Sequence, residues 1–211
     1  AKHAAGKLGV NASAAITCVK PSGTVSQLVD SASGLHPRYA DYYLRRYRIA
    51  AIDPIIPLLR SQGFPLSPEN GQREADWKAA QILHKHDKPF ANTCTIFNKG
   101  DWSPEAVMTW VATFPQRAPS SARTREQMSA LDQLEWYKHI QTNWCEHNAS
   151  CTVYVRDSEW FEVGNWVYTN WNIVNGIAFL PYEEGSTKYE QMPYESCSAE
   201  TYERAAAAAI P

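Results

Sequence analysis

The stretch Ala14-Ala15-Ile16-Thr17-Cys18-Val19-Lys20-Pro21-Ser22-Gly23-Thr24-Val25-Ser26 decides the fold. Ala14 to Val19 is short, apolar and β-leaning. A Pro-Ser-Gly turn follows at once, and then Val25, Leu28 and Val29 mark an apolar helical start. The order reads as strand, tight loop and helix, with Ser33-Gly34 closing the helix. The first turn of a helix carries N–H groups without intrahelical acceptors and the positive end of the helix dipole. Gly23 lets a ligand approach the backbone, and Ser22, Thr24 and Ser26 add hydroxyls. Such a turn holds phosphate, and it serves equally as an ordinary capped turn. It is not a Walker loop, which needs GxxxxGK[ST]. Val25 completes the candidate set, Ser22 to Ser26. His36 and Arg38, in Gly34-Leu35-His36-Pro37-Arg38, are secondary candidates for anion contact, or solvated loop residues.

Working outward, Tyr39 to Ile52 alternates as a strand does, though the same residues would tolerate a helix, and an extended segment is expected. Its Arg45, Arg46 and Arg48 beside Tyr42, Tyr43 and Tyr47 superficially resemble a nucleic-acid surface, but a strand face with paired acids fits the overall charge better. Asp53-Pro54 is a helix start, with the helix running to Gly63. Residues 64–92 read as a surface excursion around a short helix near Trp77–His84. Cys94–Phe97 and Thr109–Arg117 read as strands. Thr124 with Gln127 forms a capping box before the strongest helical pattern, Met128, Leu131, Leu134, Tyr137, Ile140 and Trp144. Ser150–Val155 reads as a strand, Val163–Trp171 as a helix and Gly176–Leu180 as a buried strand. That alternation predicts an α/β layer or barrel with parallel strands.

Composition narrows the function classes. The chain has 211 residues, 44% hydrophobic and 20% charged, enough for one domain with a core. A net charge of −2 argues against a protein that mainly grips nucleic acid. No apolar run reaches the roughly 18–20 residues of a membrane span, and no signal peptide is visible. The five cysteines are unevenly spaced and include no CxxC pair, which points to a reducing cytoplasm without structural disulfides. His139, Cys145, His147 and Cys151 lack the paired spacing of a zinc site, so no metal is expected. His84, His86 and the Glu183-Glu184 pair read as surface residues. GxSxG, HExxH and GxGxxG motifs are absent, and no catalytic residue is assigned. The chain opens at Ala1 rather than Met and stops as the alanine run 205–209 gathers helical length, so a piece of a longer protein is expected.

Ile16-Thr17-Cys18-Val19-Lys20-Pro21-Ser22-Gly23-Thr24-Val25-Ser26 resembles the ribonucleotide reductases, in particular the adenosylcobalamin-dependent, class II, triphosphate reductases. The likeness continues through Gly34-Leu35-His36-Pro37, Tyr42-Tyr43-Leu44-Arg45-Arg46 and Asp53-Pro54. It returns in Phe114-Pro115-Gln116-Arg117-Ala118-Pro119, Gln133-Leu134-Glu135-Trp136-Tyr137-Lys138 and Asn148-Ala149-Ser150-Cys151-Thr152-Val153-Tyr154-Val155. It closes with Phe179-Leu180-Pro181-Tyr182 and Gln191-Met192-Pro193-Tyr194-Glu195, and residues 64–105 match least.

The resemblance implies that residues 1–211 form the C-terminal part of one ten-stranded α/β barrel. It further implies reduction of ribonucleoside triphosphates to 2′-deoxyribonucleoside triphosphates by thiyl radical chemistry. Adenosylcobalamin would be the cofactor and thioredoxin or another dithiol the reductant. Ser22, Gly23, Thr24, Val25 and Ser26 would hold the substrate phosphates. The family's Asn-x-Cys-x-Glu segment, with the radical cysteine and a catalytic carboxylate, has no counterpart in these residues. Neither have its redox cysteine pair and its C-terminal shuttle cysteines, so the isolated chain is expected to be inactive. Two alternatives stay open: a non-catalytic nucleotide- or phosphate-binding module, and a related anaerobic glycyl-radical reductase.

Overall fold

The structure, a computed structural model, describes residues 1–23, 25–86, 88, 93–97, 100–182 and 190–209. Thr24 and the Glu183-Glu184 pair lie outside the described residues. The chain forms two compact units, Ala1–Ala40 with Ala118–Glu184, and Asp41–Arg117 with Gly185–Pro211. No helix among the described residues is long and apolar enough to cross a membrane.

The first unit is built on two parallel strands. Its helices are α1 (Lys2–Leu8), α2 (Val25–Leu28), α5 (Ala130–Asn143) and α6 (Trp160–Thr169). Its strands are β4 (Cys151–Val155) and β5 (Ile177–Pro181), paired in parallel with Cys151 opposite Ile177. α6 makes the crossover between them, as a parallel pair requires. α5 packs its apolar face on β4. Ala130, Leu134, Tyr137, Ala149, Val153, Val155, Val163 and Trp166 form the buried core. The Tyr137 hydroxyl donates to Ile173 O at 3.0 Å and accepts from Asn175 N–H at 3.1 Å, so the ring's polar end is satisfied inside the core.

The cap of α5 differs from the sequence expectation. Gln127 does bond Thr124, its Oε1 accepting from Thr124 N–H. The helix, however, starts a turn later, where Ser129 Oγ accepts from Asp132 N–H and Asp132 Oδ2 accepts from Ser129 N–H. The buried Ala130 and Leu134 behind Ser129 decide where winding begins. The expected strand at Ala14–Val19 is also reduced. Thr17 O and Val19 O accept from His147 N–H and Ser150 N–H, and a single parallel bridge joins Val19 to Ala149. Ile16 stays 59% exposed, so alternation there has no buried face to reward a longer ladder.

The second unit is antiparallel, against the expectation of parallel strands throughout. Its strands are β1 (Tyr42–Ala50), β2 (Leu66–Pro68), β3 (Thr109–Arg117) and β6 (Tyr194–Ser196), in the order β2-β3-β1-β6. β1 and β3 pair along their full length, from Tyr42 opposite Arg117 to Ala50 opposite Thr109. α3 (Ile55–Ser61), α4 (Glu74–Lys85) and α7 (Ala199–Ala209) complete the unit. Asp53 Oδ1 accepts from Ile55 N–H at 3.0 Å, as the Asp-Pro helix start predicts. Cys94–Phe97 is a turn rather than a strand. Cys94 and Ile96 are buried beside Ala80 of α4, so their alternation marks packing under a helix and not a ladder.

The arginines of β1 are joints. Arg46 binds Glu195 at 2.5 Å and Met192 O at 3.1 Å. Arg48 binds Glu69 at 2.6 Å and Gln191 O at 3.2 Å. Arg45 lies between the rings of Tyr47 and Tyr194, at 4.6 and 4.2 Å, and donates to Pro193 O. Arg73 adds an ion pair with Glu190. The paired-acid reading holds for Arg46 and Arg48, and together these side chains fasten residues 190–196 along β1.

Candidate functional site

The turn after Val19 is held by its own serines. Ser33 Oγ accepts from Ser22 N–H at 2.6 Å and donates to Ser22 O at 2.8 Å. Ser22 Oγ accepts from Ser26 N–H at 3.0 Å, and Ser26 Oγ donates to Ser22 O at 3.2 Å. The hydroxyls of Ser22 and Ser26, expected to face a ligand, therefore build the turn instead. Ser26 is buried. Gly23 and Val25 are exposed, and among the described residues their N–H groups have no protein acceptor. α2 is a single turn, so it contributes local N–H donors and little macrodipole. Thr24 lies outside the described residues.

The two glycines of this region divide the work. A methyl group on Gly23 would meet nothing within 4 Å. Gly34 has φ +57°, and a Cβ there would stand 3.0 Å from Lys20 O. Gly34 is thus required by the backbone, whereas the space beside Gly23 is open to a ligand.

His36 and Arg38 serve the scaffold. His36 Nδ1 donates to Ser33 O at 2.7 Å, and Nε2 accepts from Thr152 N–H at 3.0 Å. A carbonyl only accepts and an amide only donates, which fixes the neutral Nδ1–H tautomer. With both nitrogens engaged, His36 ties the loop to β4 rather than contacting an anion. Arg38 is buried, and its guanidinium binds Asp30 Oδ1 at 2.9 Å and Asp30 O. Its backbone bridges residues 123–125. Arg38 and His36 also line the cleft beside these loops.

Beside these loops lies a cleft of about 590 Å³, lined by Leu35, Pro37, Met128 and Trp136 with Arg123, Asp132 and Glu135 at its polar side. Glu135 Oε1 accepts from the Trp166 indole at 2.6 Å. Backbone and side-chain bonds from Ser129 hold the Asp132 carboxyl below its ordinary range. Both acids are therefore committed to helix packing and capping.

Sequence reasoning missed one cluster. Arg125 lies over Tyr39 at 3.7 Å, with Tyr154 and Tyr182 at 5.5 and 5.7 Å. These residues come from a loop, β4 and the residue after β5, and no local motif joins them. All five cysteines are free thiols. Burial pushes the Cys151 thiol up to about 11. Among the described residues, no three His, Cys, Asp or Glu side chains converge on a metal position.

This arrangement of α/β elements is found in a solved protein. The chain superposes over its whole length on 25% of a B12-dependent, class II, ribonucleotide reductase, with a TM-score of 0.69 and 25% identity. The fold class is therefore that of the ribonucleotide reductases, of whose α/β barrel this chain is a part. More particularly, the chain is 29% identical over 206 residues to an adenosylcobalamin-dependent ribonucleoside-triphosphate reductase of Lactobacillus acidophilus, covering 95% of this chain and 23% of that protein. With the enzyme of the same description from Lactobacillus delbrueckii subsp. bulgaricus it shares 32% over 197 residues, covering 93% and 22%. The resemblance read from the ordered motifs thus stands: the chain is a relative of the cobalamin-dependent ribonucleotide reductases. It spans less than a quarter of the length of these curated relatives. No protein-family model matches the chain.

Proposed function

We propose that this chain is a stretch of an enzyme that reduces ribonucleoside triphosphates to 2′-deoxyribonucleoside triphosphates, and that the turn Ser22–Ser26 holds the substrate phosphates. Both units would then be parts of one catalytic barrel. The observation that carries the reading is the turn itself. Its serines are engaged internally, which stiffens it, and the N–H groups of the exposed Gly23 and Val25 have no protein acceptor among the described residues. Backbone donors fixed in advance suit an anion, because they need no reorganisation when it arrives.

Adenosylcobalamin, by homolysis of its cobalt–carbon bond, would supply the initiating radical in such an enzyme. This chain's own part is to bind and orient: Ser33 and Ser22 keep the turn in shape, Gly34 lets it close on Lys20, and His36 anchors it to β4. A dithiol such as thioredoxin would deliver electrons elsewhere in the enzyme.

The test is calorimetry on the 211-residue chain. Ribonucleoside triphosphate should bind, and the same nucleoside without phosphates should bind at least tenfold more weakly. Equal affinity for both overturns the phosphate grip. In an assay with adenosylcobalamin and a dithiol, the chain alone should form no deoxynucleotide. The protein encoded by the whole reading frame should form it; failure there favours the non-catalytic binding module.

A further inference from the structure

The phosphate turn makes no use of Arg125. Its guanidinium carbon lies 3.7 Å from the Tyr39 ring centre, and 5.5 and 5.7 Å from those of Tyr154 and Tyr182. Its Nε is buried without a hydrogen-bond partner, and among the described residues no carboxylate lies within ion-pair distance of it. An arginine cannot shed its proton to escape this situation. Arg125 is half-buried, and a guanidinium that turns its buried Nε towards aromatic faces instead of water or an acceptor gains from an anion at its open edge.

The neighbouring arginine shows the ordinary solution. Arg156 lies 4.6 Å from the Tyr182 ring, yet donates to Glu126 O at 2.8 Å and Met128 O at 3.3 Å and stands 3.6 Å from Glu159. Arg125 sits in the same surroundings without those acceptors.

Position supplies the second argument. Tyr154 is the penultimate residue of β4, and Tyr182 follows β5, its N–H donating to Val155 O. The cluster therefore lies at the carboxyl ends of two parallel strands, where open α/β sheets receive their ligands. A cation placed over tyrosine rings keeps its N–H groups for an oxyanion, with which a guanidinium makes a two-point contact.

The geometry points to an oxyanion site centred on Arg125, framed by Tyr39, Tyr154 and Tyr182, that takes a phosphate group. The choice of phosphate over carboxylate rests on the nucleotide reading above; the site itself does not.

Calorimetric titration of the 211-residue chain with inorganic pyrophosphate tests this, with a thermal melt of each variant. Arg125→Gln should weaken pyrophosphate binding at least tenfold, Arg125→Lys should retain part of it, and the melting temperature of Arg125→Gln without pyrophosphate should not fall. Wild-type affinity in Arg125→Gln, no binding by the wild type, or a melting temperature lowered by Arg125→Gln overturns the site. Tighter binding of malonate than of pyrophosphate overturns the choice of phosphate. Gly23→Val separates the two readings. Loss in Gly23→Val alone keeps the turn and overturns the Arg125 site. Loss in Arg125→Gln alone keeps the Arg125 site and overturns the turn.

Discussion

Arginines that pair with carboxylates occur in both units, and Arg125 of the first unit stands apart from them. Arg46, Arg48 and Arg73 each bind a carboxylate, and Arg46 and Arg48 also bind backbone carbonyls of residues 191–192. They fasten a return strand to a sheet. In the first unit Arg38 is engaged by Asp30 and Arg156 by Glu159, while among the described residues Arg125 meets tyrosine rings and no carboxylate. The basic residues that cluster in β1 are thus structural, whereas the arginine proposed to meet a ligand stands between Thr124 and Glu126. Charge density along a sequence says where arginines are; only the acceptors around each decide what it does.

That contrast can be broken by substitution. The largest expected effect is at Gly34. Gly34→Val forces a branched residue to φ +57° with its Cβ 3.0 Å from Lys20 O. Strain and overpacking together should cost about 2–4 kcal/mol in chemical denaturation. A loss under ~0.5 kcal/mol would show that the turn can close another way. Next comes Arg46→Gln, which removes charged hydrogen bonds to Glu195 and Met192 O and should cost about 1.5–3 kcal/mol. If Arg46→Gln left stability unchanged while Arg125→Gln destabilised the protein, the assignment of structural and ligand-directed arginines would be reversed.

The smallest effect is a pH dependence. Burial pushes the Asp76 carboxyl up, but hydrogen bonds from the Arg73 side chain and backbone, its charge and the Gly71 N–H bring it below the ordinary value of 3.8. A carboxyl depressed in the folded state contributes stability above its unfolded pKa, and that contribution is lost as pH falls below it. The melting temperature should therefore decline as pH drops from 5 towards 3, and Asp76→Asn should flatten part of that decline. An equally steep fall in the variant would remove Asp76 from the account.

Much of the scaffold was legible in sequence because it is local. The alternation of β1, the full extent of β3 and the helical period of α5 each need only a few neighbouring residues. The turn's place between Val19 and Val25 was legible for the same reason. Its internal bonding was not: Ser22 meets Ser33 across 11 residues, and His36 meets Thr152 across 116. Hydroxyls and imidazoles look the same in sequence whether they face a ligand or a strand. The antiparallel second sheet was missed because the direction of pairing depends on the return path, which periodicity does not encode.

The central claim is that exposed backbone at Gly23 receives the phosphates of a nucleotide. Gly23→Val tests it cleanly, because a Cβ there meets nothing within 4 Å and φ is not in the left-handed region, so the fold should tolerate the change. The measurement is calorimetric binding of a ribonucleoside triphosphate to wild-type and Gly23→Val proteins of matched melting temperature. The account predicts at least a tenfold loss, because the branched side chain would occupy the space the phosphate needs. Wild-type affinity in a stably folded Gly23→Val protein would contradict it.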